Sequence, residues 1–165
     1  MNNTKFFEVS VLEKDGSPLF GEFVEATDQE EARKLFLSNN YDPIDDCEIC
    51  ISEVPIDRMI EMETRELHSR LLSRYVERFN KNMSVREFAS YLKNEKGEEQ
   101  KRGLYLSLSE HVKAIRITEY LESRLDISKI THEEFCKIRD ALCNAKSEDE
   151  LEKINREAVE KYERK

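Results

Sequence analysis

The first third of the chain alternates apolar and polar residues with the period of half-buried β-strands. Residues 7–11 follow this pattern, Asp15-Gly16 supplies a hairpin turn, and residues 19–24 form a second run of the same kind. A third alternating run covers residues 47–51. These positions predict three strands, of which the first two are joined as a hairpin.

A short helix is predicted between the second and third strands. Thr27 and Glu30 have the spacing of a capping box, in which two side chains bond the first amides of a helix. One helical face then follows, formed by Ala32, Leu35 and Phe36. The predicted order is β-β-α-β, with a small sheet covered by one helix on one face.

From Pro55 onward, the apolar residues recur at the three-and-four spacing of helices. Residues 56–79 carry one long apolar stripe, and Ser84 with Glu87 opens a shorter helix. Residues 94–103 contain two glycines, many charges and no apolar period. We expect a loop there.

Three more helices are predicted after this loop. The first runs from about Ser107 or Ser109 to Leu125. The last two begin at capping pairs, which are Thr131 with Glu134 and Ser147 with Glu150. We therefore predict an α+β protein, with a small N-terminal β-β-α-β domain at residues 1–55 and an irregular bundle of four to five helices at residues 56–165.

The charge of the chain is distributed unevenly. The 165 residues include 27 basic and 36 acidic side chains, which gives a net charge of −9. Residues 1–55 hold four basic and thirteen acidic side chains and so carry a net charge of −9 themselves, while the 23 basic and 23 acidic side chains of residues 56–165 balance. An acidic surface that only aids solubility does not predict this confinement.

The acidic side chains of the first domain predict a protein-binding surface. They form one group at the second strand and the helix start (Glu22, Glu25, Asp28, Glu30 and Glu31) and one at the entry to the third strand (Asp42, Asp45, Asp46 and Glu48). Such a surface repels nucleic acid and attracts proteins whose own surface holds phosphates. We expect the partner to be a basic nucleic-acid-binding protein, without direct contact to nucleic acid.

An alternative interface lies on the long predicted helix. Arg70, Arg74 and Arg78 recur every four residues and form a basic face that suits phosphates. Glu66 and Glu77 flank this face, and Glu66 has the spacing of an ion pair with Arg70. We favour a solvated face, and a nucleic-acid-binding accessory protein is the second hypothesis.

The sequence has no enzyme motif, and we expect neither a metal nor a cofactor. Cys47 and Cys50 have the spacing of a zinc or redox pair, but in a strand they point to opposite faces. His132 lies four residues before Cys136 without a further chelating pair, so we expect an exposed histidine and, for Cys136 and Cys143, small core residues. An enzyme with a site between the two halves is the third hypothesis, and the glycines form no phosphate-binding loop in its support.

The hydropathy pattern bears on localisation. No apolar run reaches the roughly 18 residues of a membrane helix, and the first residues begin a strand-like pattern instead of a signal segment. We expect a cytoplasmic protein without membrane contact, with its four cysteines reduced.

Residues 6–54 resemble the small DpnD/PcfM-type modules of phages and conjugative plasmids. The resemblance rests on the order of the elements, on residues 25–32 (EATDQEEA) before the helix and on residues 44–49 (IDDCEI) before the last strand. It implies a mobile-element accessory protein, and this group includes small acidic inhibitors of host defence nucleases, among them anti-CRISPR proteins. Our leading hypothesis is a non-enzymatic phage or mobile-element protein that binds and inhibits or modulates a basic nucleic-acid-handling protein, and the resemblance implies a partner such as a Cas nuclease.

Overall fold

The computed structural model of the chain describes residues 4–39, 46–71, 84, 86–88, 90, 94 and 96–164. The chain has the α+β fold, with an N-terminal β-β-α-β unit followed by a helical part. In order, the elements are β1 (Lys5–Leu12), β2 (Pro18–Ala26), α1 (Gln29–Asn39), β3 (Glu48–Val54), α2 (Ile56–Leu71), α3 (Glu98–Arg124), α4 (His132–Asn144) and α5 (Glu148–Tyr162), with a 3-10 helix at Ile127–Lys129.

The three strands form an antiparallel sheet in the order β2-β1-β3. The predicted hairpin is confirmed at Gly16, which has a φ of 84° and donates its amide hydrogen to the Glu13 carbonyl at 2.9 Å. Glycine adopts this φ without the strain that a side chain would add. Asp15 completes the turn, since its carboxylate accepts from Ser17 N at 2.9 Å.

One face of the sheet packs against α1 and forms a hydrophobic core. Ala32 and Phe36 of α1 are fully buried there, as their spacing predicted, whereas Leu35 is 37% exposed. The prediction for Leu35 is therefore wrong, because only the i, i+4 pair points at the sheet. From the strands, this core takes Phe7, Val9, Val11, Val24 and Ala26.

The predicted capping box of α1 is wrong by one residue. Asp28 Oδ1 accepts from Glu31 N at 2.9 Å, and the Asp28 carbonyl accepts from Ala32 N, so Asp28 is the N-cap. Glu31 bonds back to Thr27, accepting from its amide at 2.7 Å and from its hydroxyl at 2.5 Å. Thr27 and Asp28 are both good N-cap residues, and Glu30 and Glu31 follow each at the capping-box spacing. The spacing alone therefore does not decide whether the helix is capped at residue 27 or 28.

The other face of the sheet is closed at one end by a second hydrophobic cluster. Phe6, Val54 and Met59 are buried in it, and Ile56 and Tyr105 pack against them. The rings of Phe6 and Tyr105 meet edge to face, with their centroids 4.8 Å apart. Residues beyond Pro55 therefore complete the packing of β1 and β3.

The loop predicted at residues 94–103 is wrong from residue 98 onward, because α3 begins at Glu98 and not at Ser107 or Ser109. Lys101 is only 5% exposed, with its Nζ 2.9 Å from Asp57 Oδ1. Arg102 lies over the ring of Phe6, 5.7 Å from the centroid. A search for apolar residues overlooks this start of α3, because the side chains that pack there are charged.

The start of α2 is confirmed, and Met59, Ile60 and Leu67 of its predicted stripe are buried. The rest of that predicted helix, residues 72–79, lies outside the described residues.

The last three helices share a core of their own, formed by Leu121, Leu125, Leu142, Ala158 and Tyr162. The predicted caps are confirmed: Thr131 and Glu134 form a full capping box, and Ser147 accepts from the amide of Glu150. His132 is exposed as predicted, but Cys136 and Cys143 are half-buried and lie outside this core. The predicted core role of the two cysteines is therefore wrong.

The chain divides into two compact units. The first comprises the described residues within Met1–Met62 and Arg86–Tyr105, and the second those within Glu63–Val85 and Leu106–Lys165. The first unit contains the sheet, α1 and both clusters around it, and the second contains α4 and α5. Independent folding of residues 1–55 and 56–165 stays a prediction.

In the part of the chain that the structure describes, every helix is too short or too polar to cross a membrane.

Candidate functional site

Two of the predicted acidic residues stabilise the start of α1. Asp28 caps the helix through the amide of Glu31, and the Glu31 carboxylate holds both polar groups of Thr27. The hydrogen bonds from the Thr27 hydroxyl and amide lower the pKa of Glu31. These two carboxylates are exposed, but each already accepts hydrogen bonds at the start of the helix.

Two further acidic residues have basic neighbours at the surface. Glu30 accepts from Lys34 one helical turn later at 2.7 Å, and Asp46 lies 2.9 Å from Lys14. All four side chains are exposed, so each pair adds at most about 1 kcal/mol to stability and exchanges easily with another charged group.

Glu25 has a structural role at the end of β2. Its carboxylate accepts from Thr4 Oγ1 at 2.5 Å and from the guanidinium of Arg102 at the start of α3. Arg102 also donates to Thr4 Oγ1 at 3.0 Å. Because these groups join β2 to α3 within the first unit, Glu25 is not available as a free charge.

Glu22 and Glu48 make no ion pair with a described residue, but they do not lie together. Glu22 is opposite Val9 and so belongs to the face of the sheet that α1 covers, where it is half-buried. Glu48 is opposite Leu12 on the other face, and it is exposed. Asp42 and Asp45 lie outside the described residues. The structure thus distributes the predicted cluster over both faces of the sheet and the start of α1.

The uncovered part of the second sheet face is a surface that sequence reasoning missed. Glu8 lies on it between Phe23 and Ser52, and Ser10 lies between Gly21 and Cys50. Phe23 is 39% exposed, although it stands within a predicted strand. The turn at Asp15-Gly16 does not predict this neighbourhood, because an irregularity between Val11 and Leu12 shifts the pairing by one residue and only then places Phe23 beside Glu8.

The two cysteines of this region lie as predicted. Cys47 packs against the core under α1 together with Ile49. Cys50 is exposed on the opposite face, beside Ser10. Two sulfurs placed in this way cannot bind one ion.

Arg70, the first residue of the alternative basic face, is bound by two carboxylates. Its Nε donates to Glu66 at 2.9 Å, which confirms the predicted intrahelical pair, and its Nη1 donates to Glu119 at 2.5 Å. The bond from Arg70, with a second from Arg116 at 3.1 Å, lowers the pKa of Glu66. Arg74 and Arg78 lie outside the described residues. Arg70 itself is neutralised, so a phosphate would have to displace Glu66 or Glu119.

A cavity of about 390 Å³ in the second unit is lined by His132, Cys136 and Arg139. His132 Nε2 lies 3.6 Å from Cys136 Sγ, and Arg139 lines the same cavity while its guanidinium binds the adjacent Asp140 at 2.8 and 2.9 Å. The described residues contain no group of three or more histidine, cysteine or carboxylate side chains that could hold a metal ion. The pair of His132 and Cys136 therefore supplies two ligands at most.

A cleft of about 750 Å³ in the first unit is lined by side chains of both signs. Lys5 is paired with Glu53 at 2.9 Å there, and Arg102 is paired with Glu25. Both cations of this cleft thus already have carboxylate partners.

No protein-family model, curated protein or solved structure matches this chain.

Proposed function

We propose that this is a non-enzymatic, cytoplasmic protein of a phage or mobile element that binds a basic nucleic-acid-handling protein and inhibits or modulates it. The proposed partner is a protein of the Cas nuclease type. The observation that carries the proposal is the confinement of a net charge of −9 to residues 1–55. A field of this sign attracts proteins that hold nucleic acid and repels nucleic acid itself.

Two features of the described residues support a protein partner over a nucleic acid. Glu8 and Glu48 are carboxylates on the uncovered sheet face and have no ion pair with a described residue. Arg70, by contrast, is engaged by Glu66 and Glu119. Carboxylates of the first third without an ion pair to a described residue therefore lie on the sheet, and the described arginine of the alternative basic face is already paired with two carboxylates.

The proposal is tested by mixing the purified chain with guide-loaded Cas nucleases and with labelled DNA and RNA. We expect it to bind at least one nuclease, to slow cleavage of target DNA, and to leave free DNA and RNA unshifted in native electrophoresis. Binding should weaken as salt rises from about 50 to about 500 mM, because screening shortens the reach of exposed charges. Retardation of DNA or RNA at low salt, with no nuclease bound, would overturn the proposal in favour of the arginine face.

A further inference from the structure

The sheet has one face that is only partly covered. At one end of this face, Phe6 and Val54 are buried by Met59 and its neighbours. The rows that follow along the strands have no described element over them, as the exposure of Phe23 and Cys50 shows. We call the surface from Phe23 to Glu48 on this side the open sheet face.

The open sheet face is apolar at two positions and shallow between them. Phe23 is 39% exposed on the edge strand β2, and Leu12 is half-buried on β1 in the row of Glu48. Between their rows lie Ser10, Gly21 and Cys50, which have short side chains or none. The row of Phe23 and the row of Leu12 are four residues apart along β1, which is about 13 Å, so a bulky side chain of another molecule fits over the shallow row between them.

The charges on the open sheet face have one sign. Glu8 lies beside Phe23, and Glu48 lies beside Leu12. Neither carboxylate has an ion pair with a described residue, whereas Asp28, Glu30 and Glu31 on the α1 side are all engaged by neighbours. Free carboxylates and exposed apolar side chains therefore coincide on this face.

We propose that the open sheet face docks a basic amphipathic segment of the partner protein. An apolar side chain of that segment packs between Phe23 and Leu12, and its lysine or arginine side chains pair with Glu8 and Glu48. This inference rests on the proposed function and names the surface and the chemistry of the contact.

Charge selects this occupant over the others that an apolar face could accept. A second copy of the chain would bring two first thirds of net charge −9 together. Nucleic acid and an anionic membrane surface would meet Glu8 and Glu48 with charge of the same sign. A basic protein segment satisfies the apolar and the charged positions together.

Cys50 provides the measurement, because it is the exposed cysteine among the four and lies inside the open sheet face. The probes are three synthetic peptides of equal length: one of leucine and lysine with helical amphipathic spacing, one with serine replacing each leucine, and one with glutamate replacing each lysine. Peptide affinity is measured by calorimetry. The alkylation rate of Cys50 is followed by mass spectrometry of the full chain after digestion.

We expect the leucine-lysine peptide to bind and to slow Cys50 alkylation about tenfold or more at saturation. The serine-lysine peptide should bind at least about tenfold more weakly, because it lacks the apolar contact. The leucine-glutamate peptide should not bind. Equal binding of the two cationic peptides with an unchanged alkylation rate would overturn the inference.

Matched variants locate the contact. Phe23→Ala and the double variant Glu8→Gln with Glu48→Gln should each weaken the leucine-lysine peptide about fivefold to tenfold. The controls are Leu37→Ala, which removes a 41% exposed leucine of α1, and the double variant Glu30→Gln with Asp46→Asn. If Phe23→Ala does not fold, wild-type chain alkylated at Cys50 replaces it, and undiminished binding by that chain also overturns the inference.

The same variants separate this inference from the proposed function. A nuclease that binds the wild-type chain, binds the Phe23 and Glu8 variants equally well, and loses affinity for the Glu30 control would leave the proposed function standing and overturn the open sheet face. If no nuclease binds but the leucine-lysine peptide protects Cys50, the proposed function is overturned and the open sheet face stands as a binding surface.

Discussion

The guanidinium of Arg102 donates a hydrogen bond to the carboxylate of Glu25, which stands 77 positions earlier in the chain. The same guanidinium donates to Thr4 Oγ1 at 3.0 Å and lies over the ring of Phe6, 5.7 Å from its centroid. Arg102 thereby joins the first turns of α3 to β1 and β2 by an ion pair and a cation-π contact.

Replacing Arg102 should destabilise the first unit. We expect Arg102→Ala to lower the free energy of unfolding by about 1 to 2 kcal/mol, because a half-exposed ion pair contributes up to about 1 kcal/mol and the cation-π contact a similar amount. The stability of Arg102→Lys should lie between that of wild type and that of Arg102→Ala. Lysine keeps the charge but cannot donate to both Glu25 and Thr4 in a planar fork. Urea unfolding measures the change.

Arg33→Ala is the matched control, because Arg33 is an exposed arginine of α1 in the same unit. It should change stability by no more than about 0.5 kcal/mol. Equal effects of the two variants would show that the contacts of Arg102 contribute nothing.

The strands, the hairpin and the caps of the last two helices could be predicted from the sequence, because each depends on residues near one another in the chain. Period-two alternation identified β1 and β2, and Thr131 with Glu134 identified the start of α4. The start of α3 could not be predicted in this way. Its first turns are held by Lys101 and Arg102, whose partners Asp57 and Glu25 are distant in the sequence.

The candidate surface was only partly predictable for the same reason. The sequence shows how many carboxylates there are but not which ones form hydrogen bonds or ion pairs. Asp28, Glu30 and Glu31 are bonded to neighbours in and just before α1. Glu8 and Phe23 become neighbours only through the pairing of β1 with β2. Charge therefore identified the first domain, whereas strand register identifies the accessible face.

Lys101 offers a test of the corrected helix start. It is 5% exposed, and the hydrogen bond that its ammonium donates to the Asp57 carboxylate raises its pKa. We expect Lys101→Ala to lower the free energy of unfolding by about 2 kcal/mol, because it leaves Asp57 without its partner and removes a packed stem. Lys101→Met should cost less, since it keeps the stem.

The control for Lys101 is Lys153→Ala on the exposed surface of α5, which should shift stability by no more than about 0.5 kcal/mol. If Lys101→Ala behaves like this control in urea unfolding, the buried ion pair and the early start of α3 are both wrong.

Fragments test how the chain divides. Residues 56–165 should remain helical, because the cluster of Leu121, Leu142 and Tyr162 lies entirely within them. Residues 1–55 should be marginal, since they lack Met59 and Tyr105, which pack against Phe6. A fragment of residues 1–105 restores these contacts and should recover the strand signal in circular dichroism. An unfolded 56–165 fragment would show that the helical part needs the sheet.

Acid should destabilise the second unit through Glu134. The Tyr162 hydroxyl donates to its carboxylate at 2.9 Å, and Thr131 bonds it through amide and hydroxyl, which lowers the pKa of Glu134 from 4.5 to about 2. Because the pKa is lower in the folded chain, the stabilisation is complete above pH 4.5 and is lost as the pH falls toward about 2. Asp126 acts in the same direction, since Lys129 and Ser128 lower its pKa to about 2.

Glu134→Gln should therefore reduce the slope of stability against pH between pH 4.5 and about 2, measured by urea unfolding at a series of pH values. At neutral pH the variant should be less stable than wild type, and the difference should shrink as the wild-type carboxylate is protonated. Glu133→Gln, one residue earlier and bonded to Lys137, is the control and should keep the wild-type slope. A Glu134→Gln curve parallel to that of wild type across this range would show that Tyr162 and Thr131 do not hold the charged form.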